Sequence, residues 1–427
     1  MNIQLLSTDP IMNLAAALSF ILFLFILFLF MVKIVGIFRR ETHSHARAGK
    51  PPVSILIPAY NEEHAITSCL AAIVTSSYPK KLYEIIVIDD ESTDRTAHLV
   101  EQFIADHPTV SVRIIHGMHH GKSAALNLGL THAVHDLVIT IDADVKIAHD
   151  TITKLTAPMG NEHVAASNAV AIIHKPQRMI EYFQMIEFTL NNLIRSSFSR
   201  VFKNSIWFFG AVACYKKNIL TSIGGFKQHT LTEDMDLSLE LFSKGYRIIT
   251  VENAVIATDA RPGVAELFTQ RMRWYYGALQ SLFKHRALLT THTRRPEILF
   301  LFINQWWWTL FAFLFFPLTA YQVYYWFPAQ TADAALYLLR WFTLWGPFYV
   351  LWHIPDWGLS TLNIFGVLSG LLTLTMSVTA LVWFRGEKHP KTLLALALYF
   401  PYTILLNAIL IAGIGRYAFA KKKYFIN

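Results

Sequence analysis

Cysteine and charged residues are scarce in this sequence of 427 residues. Its two cysteines, Cys69 and Cys214, have no CxxC partner and no histidine-rich surroundings, which argues against a disulfide framework or a cysteine zinc site. Charged residues make up 15% and hydrophobic residues 54%, whereas an average soluble domain carries about 25% charge. The deficit is local, because residues 39–295 have ordinary polar content and both ends are apolar. The composition predicts a reduced, polar central domain between membrane segments.

The net charge of +8 is not gathered into one basic tract. The basic residues lie beside the apolar runs, in clusters formed by Lys33 with Arg39 and Arg40, by Lys284, His285 and Arg286, by Arg294 and Arg295, and by Arg416 with Lys421, Lys422 and Lys423. Flanking charge of this kind is typical of membrane proteins, since Lys and Arg accumulate on the cytosolic side of a span. We therefore expect a lipid bilayer, and no nucleic acid, as a partner.

The first apolar run, residues 11–32, contains no charged residue. A helix of this length crosses the hydrocarbon core of roughly 30 Å at about 1.5 Å per residue. No basic residue precedes the run and no small-residue cleavage site follows it, so a cleaved signal peptide is not expected. Because positive charges follow the run, we expect the N-terminus outside and the next domain in the cytosol of a multi-pass inner (plasma) membrane protein.

Four further apolar runs lie near residues 297–327, 335–354, 359–384 and 392–415. The run 335–354 carries Arg340 and His353 and is the weakest. If it spans, the tail with Lys421 to Lys423 returns to the cytosol, which the positive-inside rule favours. If it lies in the interface, the tail ends outside. We expect it to span.

Short apolar strands alternate with helical patterns in the central domain. The strands are expected at residues 53–57, 84–88, 111–115 and 137–141, and the helices at 63–74, 94–104 and 122–132. This alternation predicts a parallel α/β sheet. Acidic residues follow several of these strands, and ligands bind outside the carboxyl ends of such strands. We expect residues 58–62, Asp89, Asp90, Asp142 and Asp144 to meet at one edge of the sheet.

Two carboxylates, Asp142 and Asp144, stand one residue apart at a strand end. They form an oxygen-rich half-site for Mg²⁺ or Mn²⁺, which would bridge a diphosphate and stabilise it as a leaving group. The alternative is an acidic turn that caps the next helix. Asp89 and Asp90 could accept hydrogen bonds from a uracil ring or a ribose, whereas Asp94 is a candidate helix cap.

Residues 117–123 resemble a phosphate-binding loop but have three residues, not four, between the glycines, which excludes an ATPase loop. Lys122, at the start of a helix, can still meet a diphosphate. His119 and His120 could bind a metal, but no third ligand stands at a useful spacing, so exposed loop histidines are the favoured interpretation.

Thr232, Glu233 and Asp234 precede a helical pattern at residues 237–244. They are either a cap and a first turn that suits the helix dipole, or they include a general base that takes the proton of an acceptor hydroxyl. Gln270, Arg273 and Trp274 share one helix face, which could clamp a diphosphate and stack a sugar. The alternative there is a basic amphipathic helix that lies on the membrane.

Five of these segments resemble, in their order and approximate spacing, the membrane-integrated, processive glycosyltransferases of family 2, and most of all the bacterial poly-β-1,6-N-acetylglucosamine synthases. The five are residues 58–62, Asp89 with Asp90, residues 142–144, residues 232–234, and Gln270 with Arg273 and Trp274. Hyaluronan and cellulose synthases are near neighbours. The resemblance covers about residues 52–276. It implies a GT-A fold, a Rossmann-like and mostly parallel α/β sheet, inserted between transmembrane helices. The expected parts are a membrane helix (1–38), a cytosolic GT-A domain (39–260), amphipathic interface helices (261–296), and C-terminal membrane helices with a basic tail (297–427).

The resemblance also implies the roles of the site residues. The nucleotide of the UDP-sugar is expected to bind at Ala59, Tyr60, Glu62, Asp89 and Lys122, and the divalent metal with the diphosphate at Asp142 and Asp144. The expected catalytic segment is Thr232, Glu233 and Asp234, with Asp234 as the base. The diphosphate and the acceptor end are expected to be held by Gln270, Arg273 and Trp274. The expected reaction inverts the anomeric carbon and extends a β-linked polysaccharide, most simply of N-acetylglucosamine, with export across the membrane. The expected partners include the growing polysaccharide and a small regulatory or export subunit.

Two departures from the family pattern concern the site. Glu91 stands where the family usually has glycine, and Phe208-Phe209-Gly210 replaces a run of small residues at the acceptor pocket. Two alternatives stay open at this point. The enzyme could add a single sugar to a lipid-linked acceptor, or the chain could be a non-enzymatic membrane component with an inactive transferase domain.

Overall fold

The computed structural model describes residues 3–4, 8–39, 49–205, 210–291, 295–328, 331–384 and 389–419. The strands in these ranges are β1 Ile3–Gln4, β2 Val53–Ala59, β3 Tyr83–Asp89, β4 Val112–His116, β5 Leu137–Ile141, β6 Lys146–Ile147, β7 Val164–Ile173, β8 Val212–Lys216, β9 Arg247–Thr258 and β10 Leu359–Ser360. The helices are α1 Pro10–Phe38, α2 Ile66–Val74, α3 Thr96–Asp106, α4 Lys122–His132, α5 Thr151–Thr156, α6 Met179–Phe202, α7 Lys217–Ser222, α8 Glu233–Ser243, α9 Val264–Lys284, α10 Leu288–Thr291, α11 Pro296–Tyr325, α12 Thr331–Phe342, α13 Gly346–Trp357, α14 Thr361–Trp383, α15 Pro390–Ala397 and α16 Tyr399–Phe419.

Eight strands form one sheet in the order β4-β3-β2-β5-β8-β7-β9-β6. Strands β4, β3, β2 and β5 are mutually parallel, whereas β8 runs antiparallel to both β5 and β7. The predicted parallel α/β sheet is therefore confirmed for its first half, and the antiparallel β8 marks the start of the second. The predicted helix 122–132 and strand 137–141 have the observed bounds, and the helix expected from residue 63 begins at Ile66.

The sheet is apolar on both faces because helices cover both. Along β2, Val53, Ile55 and Ile57 face one core cluster while Leu56 faces the other, and all four are fully buried. A strand buried on both sides reads as a continuous apolar run rather than an alternating one. Helices α2, α3, α5 and α6 contribute to the first cluster, and α4, α7 and α8 to the second. The uncovered edge at the strand ends is left for the polar residues of the site.

Within the part of the chain that the structure describes, three helices are long and apolar enough to cross a membrane, namely α1, α11 and α14. Helices α15 and α16 form a pair bent by 60°, which makes a fourth span if the pair counts as one. The prediction of a spanning helix at residues 335–354 is not supported. The structure divides this run between α12 and α13, of 12 residues each, and a 12-residue helix reaches only about 18 Å. The tail with Lys421 to Lys423 lies outside the described residues.

Helix α6 joins the sheet domain to the membrane helices. The Phe198 ring is fully buried and packs against the rings of Phe28 on α1 and Phe300 on α11. Close to this cluster, the Lys33 ammonium of α1 lies 4.0 Å from the ring centroid of Trp383 on α14. The sheet domain and the candidate spans therefore share one packed interface.

Candidate active site

The carboxyl ends of the parallel strands gather the predicted residues at one edge of the sheet. Ala59 ends β2 and is aligned with Asp89 at the end of β3. The Ala59 carbonyl accepts a hydrogen bond from the Asp90 amide at 2.9 Å. Asp142 follows β5, and its amide donates to the Ala211 carbonyl at 2.9 Å. The meeting of segments far apart in sequence is thereby confirmed.

Lys122, the first residue of α4, connects two of the acidic segments. Its Nζ lies 2.6 Å from Asp142 Oδ1 and 3.2 Å from Glu233 Oε1. Burial works to lower the pKa of Lys122, but the two carboxylates outweigh that effect and hold the pKa above its ordinary value. The lysine therefore stays charged and ties the end of β5 to the start of α8.

Glu62, Asp142 and Asp144 form a group of carboxylates that Lys122, paired with Asp142, does not fully neutralise. Burial, together with repulsion from Asp144 and Asp142, raises the pKa of Glu62 to about 7. Burial also raises the pKa of Asp142 to about 6, with Lys122 opposing the shift and Asp144 adding to it. Crowded carboxylates with raised pKa values are the electrostatic signature of a place suited to a cation.

The donor set fits Mg²⁺ or Mn²⁺ shared with a substrate. Among the residues that the structure describes, no group of three or more His, Cys, Asp or Glu side chains could hold a metal ion by itself. Magnesium usually takes one or two carboxylates and completes its shell with water and substrate phosphates. Asp142 and Asp144 can supply such a partial set, so a diphosphate would have to complete it.

Glu233 and Asp234 occupy the first turn of α8, which begins four residues before the predicted helical pattern at residues 237–244. Asp234 Oδ2 accepts from the Gly210 amide at 2.9 Å, and Oδ1 accepts from the Met235 amide at 2.8 Å. A Cβ at position 210 would come within 2.5 Å of Asp234 Cβ, so the close approach requires glycine. Phe208 and Phe209, which precede it, lie outside the described residues.

The two neighbouring carboxyl groups of α8 have opposite pKa shifts. Burial and repulsion from Glu233 raise the pKa of Asp234. Burial also acts to raise the pKa of Glu233, but Lys122 and, to a smaller extent, Arg273 outweigh it and lower the pKa. Groups whose environments push their pKa values apart can divide acid and base roles. The proposed cap is not formed, because the Thr232 side chain makes no capping bond and lies 3.3 Å from Ser281 Oγ instead.

The Asp89-Asp90 pair is buried and holds the loop before α4. The two Asp90 carboxylate oxygens accept from the amides of His120 and Gly121 at 3.2 and 2.9 Å. Asp89 Oδ1 accepts from the Ser92 amide at 3.3 Å. Both aspartates therefore have partners within the protein, since Asp89 Oδ2 also lies 3.3 Å from His116 Nδ1.

Tyr60 and the loop histidines form the outer rim of this edge. The Tyr60 side chain is exposed, and its ring centroid lies 4.3 Å from that of His119. His119 Nδ1 lies 3.1 Å from the Asp90 carbonyl oxygen. The sequence prediction of exposed loop histidines agrees with this arrangement, which offers an aromatic surface to a flat ligand.

Glu91 adopts a left-handed backbone with a φ of 66°. Its position in the family pattern normally holds glycine, the residue that adopts this conformation at least cost. Glu91 therefore places a strained residue in this loop. The predicted cap at Asp94 is not at the N-cap position of α3, which is Arg95, although Asp94 Oδ1 accepts from the Thr96 amide at 2.9 Å.

Helix α9 carries Gln270, Arg273 and Trp274, as predicted, but they do not all face the cleft. Gln270 Oε1 accepts from Arg271, and the Arg271 guanidinium carbon lies 4.2 Å from the Trp274 ring centroid. One face of Trp274 is therefore covered by Arg271. Arg273 is exposed and is the member of the motif whose charge acts on Glu233.

Arg271 is an important site residue that sequence reasoning missed. Its side chain is 1% exposed and forms two bonds to Glu187 of α6, from Nε to Oε1 at 3.1 Å and from Nη2 to Oε2 at 2.7 Å. Burial opposes the charge of Arg271, but Glu187 outweighs it and raises its pKa. Tyr402 of α16 also donates to Glu187. An arginine between two motif positions gave no signal in the sequence that it was buried.

Asp236 was missed as well, and its partners were assigned another role. It lies two residues after Asp234, is fully buried, and pairs with Lys284 and His285. The position of Lys284 and His285 beside an apolar run predicts charge that flanks a membrane segment. In the structure both side chains bind the buried Asp236 carboxylate.

Comparison with known proteins gives consistent results. Residues 51–277, just over half of the chain, match the family model described as "Glycosyltransferase like family 2". The probable glycosyltransferase YdaM of Bacillus subtilis is 29% identical over 62% of this chain and 64% of that protein. The poly-beta-1,6-N-acetyl-D-glucosamine synthase of Staphylococcus epidermidis is 29% identical over 54% of this chain and 56% of that protein.

One further relative and one solved structure are also similar to this chain. The beta-monoglucosyldiacylglycerol synthase of Nostoc is 27% identical over 57% of this chain and 53% of that protein. The match therefore spans less than two thirds of the length of these curated relatives. A solved mannosyltransferase of Pyrobaculum calidifontis, in complex with GDP-Man and Mn²⁺, has a TM-score of 0.54 at 20% identity and covers 96% of this chain and 100% of its own.

Proposed function

Because this chain belongs to the family-2 glycosyltransferases and has the expected GT-A fold, we propose that it transfers a sugar from a UDP-sugar to an acceptor hydroxyl. The observation that carries the proposal is the position of Lys122, within 2.6 Å of Asp142 and 3.2 Å of Glu233. This lysine links the strand end expected to meet a diphosphate to the helix that carries the expected base. A structural acidic turn would not need that link.

Asp234 is the proposed general base. The Gly210 and Met235 amides fix its carboxylate, and burial with the Glu233 charge raises its pKa. A base with a raised pKa takes a proton more readily near neutral pH than an ordinary aspartate does. Removal of the acceptor proton lets the hydroxyl oxygen attack the anomeric carbon from the side opposite the leaving diphosphate. That displacement inverts the carbon and gives a β-linkage from an α-linked donor.

The nucleotide and diphosphate belong, in this proposal, to the strand ends and α4. Ala59, Tyr60, Glu62 and Asp89 border the nucleotide, with Tyr60 as the exposed ring. Asp142 and Asp144 would hold Mg²⁺ or Mn²⁺, which neutralises charge on the diphosphate leaving group when bound. Lys122 and Arg273 add positive charge at the same place, since both act on Glu233.

The proposed product is a β-linked polysaccharide of N-acetylglucosamine, made at the cytosolic membrane face and exported as it grows. Support comes from the similarity to the Staphylococcus synthase and from the packing of α6 against candidate membrane spans. We further propose a cytosolic GT-A domain at residues 39–260, interface helices at 261–296, and a multi-pass arrangement with the N-terminus outside. A regulatory or export subunit is part of the same proposal.

Purified protein in detergent tests this function. With UDP-N-acetylglucosamine and Mn²⁺, it should release UDP and form polymer, and UDP-glucose and UDP-glucuronate serve as matched donors. Product length is resolved by size separation and mass spectrometry. Absence of UDP release with every donor would refute the transferase proposal, and products lengthened by one sugar only would refute processive synthesis.

A second candidate is the addition of one sugar to a lipid acceptor. The similarity to the Nostoc synthase, which is of the same order as that to the Staphylococcus synthase, favours keeping it. Both candidates need the same donor residues, so only the acceptor distinguishes them. Addition of diacylglycerol to the assay should leave the product a polymer. A stoichiometric glycolipid would establish the second candidate instead.

A further inference from the structure

The C-terminal end of α9 is attached to α8 by a buried charged bridge. Asp236 is 0% exposed, and both of its carboxylate oxygens face Lys284 Nζ, at 2.9 and 2.7 Å. His285 Nε2 lies 2.6 Å from Asp236 Oδ1. We call Asp236, Lys284 and His285 the α8–α9 bridge.

The bridge is an electrostatically matched unit. Burial acts to raise the pKa of Asp236, but the bonds from His285 and Lys284 outweigh it and lower the pKa. A buried carboxylate of this kind keeps its charge only while its donors stay in place. The His285 side chain is 9% exposed and Lys284 is about one-third exposed, so the partners seal the carboxylate from one side.

Close packing continues from the bridge toward the cleft. A Cβ at Gly277 would lie 2.8 Å from the Thr232 backbone nitrogen, so α9 and the segment before α8 are in direct contact there. Gln280 Oε1 accepts from the Leu231 amide at 3.1 Å. These contacts lie between the bridge and Arg273, which stands eleven residues before Lys284, about 16 Å along the helix.

We propose that Asp236 is a positioning residue for glycosyl transfer. This inference rests on the proposed function. The bridge fixes the position of α9 relative to α8. That arrangement keeps Arg273 of α9 close enough to act on Glu233 of α8. Asp236 itself touches neither donor nor acceptor. Its effect falls on the placement of the base-bearing start of α8 against α9 at the acceptor end, to which transfer is sensitive at the level of about 1 Å.

The proposal separates turnover from donor binding. The residues expected to bind the nucleotide lie at the ends of β2 and β3 and on α4, and none of them contacts the bridge in the described contacts. Asp236→Asn keeps the side chain's shape and removes its charge. It should lower kcat by about 10- to 100-fold, while the KM for UDP-sugar and the Kd for UDP with Mn²⁺ change less than about threefold.

Matched variants separate positioning from general stability. Asp150→Asn removes the partly exposed ion pair with Lys154 on α5, at 2.7 Å, and should leave kcat unchanged. Lys284→Arg keeps a cation that can reach Asp236 and should retain at least about a third of kcat, whereas Lys284→Met should behave like Asp236→Asn. Thermal unfolding in detergent is measured for every variant.

Two results would overturn the inference alone, with the wild type active. One is an Asp236→Asn protein whose kcat stays within about twofold of wild type. The other is a kcat loss matched by an equal loss of UDP affinity and no rescue by Lys284→Arg, which is the pattern of a residue that only supports the fold. An inactive wild type would overturn the proposed function and the inference together, so the two failures are distinguishable.

Discussion

The carboxylates of the cleft fall into two groups that the protein compensates differently. The donor half consists of Glu62, Asp142 and Asp144, and the pKa values of Glu62 and Asp142 are raised to about 7 and about 6. The acceptor half consists of Glu233, Asp234 and Asp236 on α8. The Asp234 carboxylate accepts hydrogen bonds from two backbone amides, and the Asp236 carboxylate pairs with Lys284 and His285. Lys122 is shared between the halves.

This difference indicates how the two halves work. The carboxylates of the donor half repel one another in the unliganded protein, and binding of a cation together with a diphosphate relieves this repulsion. The acceptor half already has its donors, so its geometry is set before substrate binds. In the proposed function, the donor half is therefore organised by its ligand, and the acceptor half by the protein.

Asp234→Asn should have the largest effect and should separate the halves most sharply. Loss of a positioned base lowers kcat by about 10²- to 10⁴-fold. The Kd for UDP with Mn²⁺, measured by calorimetry, should stay within about threefold of wild type. A variant that keeps more than a tenth of wild-type turnover would remove Asp234 from the role of base.

Asp144→Asn should act on the donor half alone. It removes one of two proposed metal ligands, so Mn²⁺-dependent UDP binding should weaken by at least about an order of magnitude. Chelation of the metal should give the same result in the wild-type protein, with recovery on addition of Mn²⁺. Unchanged UDP affinity in both experiments would contradict a metal at Asp142 and Asp144.

Glu62→Gln should flatten the pH dependence of stability in metal-free protein. The folded protein raises the pKa of Glu62 from 4.5 to about 7. This carboxyl's contribution is therefore complete below pH 4.5 and is lost as the pH rises through about 7. Asp142 contributes with the same sign, so part of the slope should remain in the variant. Thermal midpoints in detergent from pH 4 to pH 8 check this, and an unchanged slope would contradict it.

Glu91→Gly should have the smallest effect and a stabilising one. Glycine adopts a φ near 66° without the strain that a side chain brings. Relief of that strain is worth about 1 kcal/mol. Glu91→Ala, which removes the charge but retains the strained backbone, is the matched control and should not raise the thermal midpoint. A gain in the alanine variant equal to that in glycine would assign the effect to charge instead.

The sequence predicted the donor half better than the acceptor half. Strand β5 and helix α4 have the expected bounds because continuous apolar runs and helical spacing are local signals. Asp142 and Lys122 follow from them, since residues at parallel strand ends must converge. Both expected acids of the second half, Glu233 and Asp234, were also found from their place before a helical pattern.

The partners of those residues could not be read from the sequence. Arg271 and Glu187 are 84 positions apart, and Asp236 and Lys284 are 48 apart. Both pairs depend on how α6, α8 and α9 cross, which no local pattern encodes. Positive charge beside an apolar run can flank a membrane segment or pair with a buried carboxylate. Lys284 and His285 illustrate the second case, because both bind Asp236. The division of residues 335–354 into α12 and α13 likewise required knowledge of the packed structure.

The most direct test of this account is UDP release from UDP-N-acetylglucosamine by the purified protein, measured in parallel for wild type and Asp234→Asn with and without Mn²⁺. We expect steady release by the wild type that stops on chelation. We also expect almost no release by Asp234→Asn, although that variant still binds UDP with Mn²⁺. Equal release by both proteins, or release that is indifferent to the metal, would contradict the division of the cleft into a metal-dependent donor half and a preorganised acceptor half.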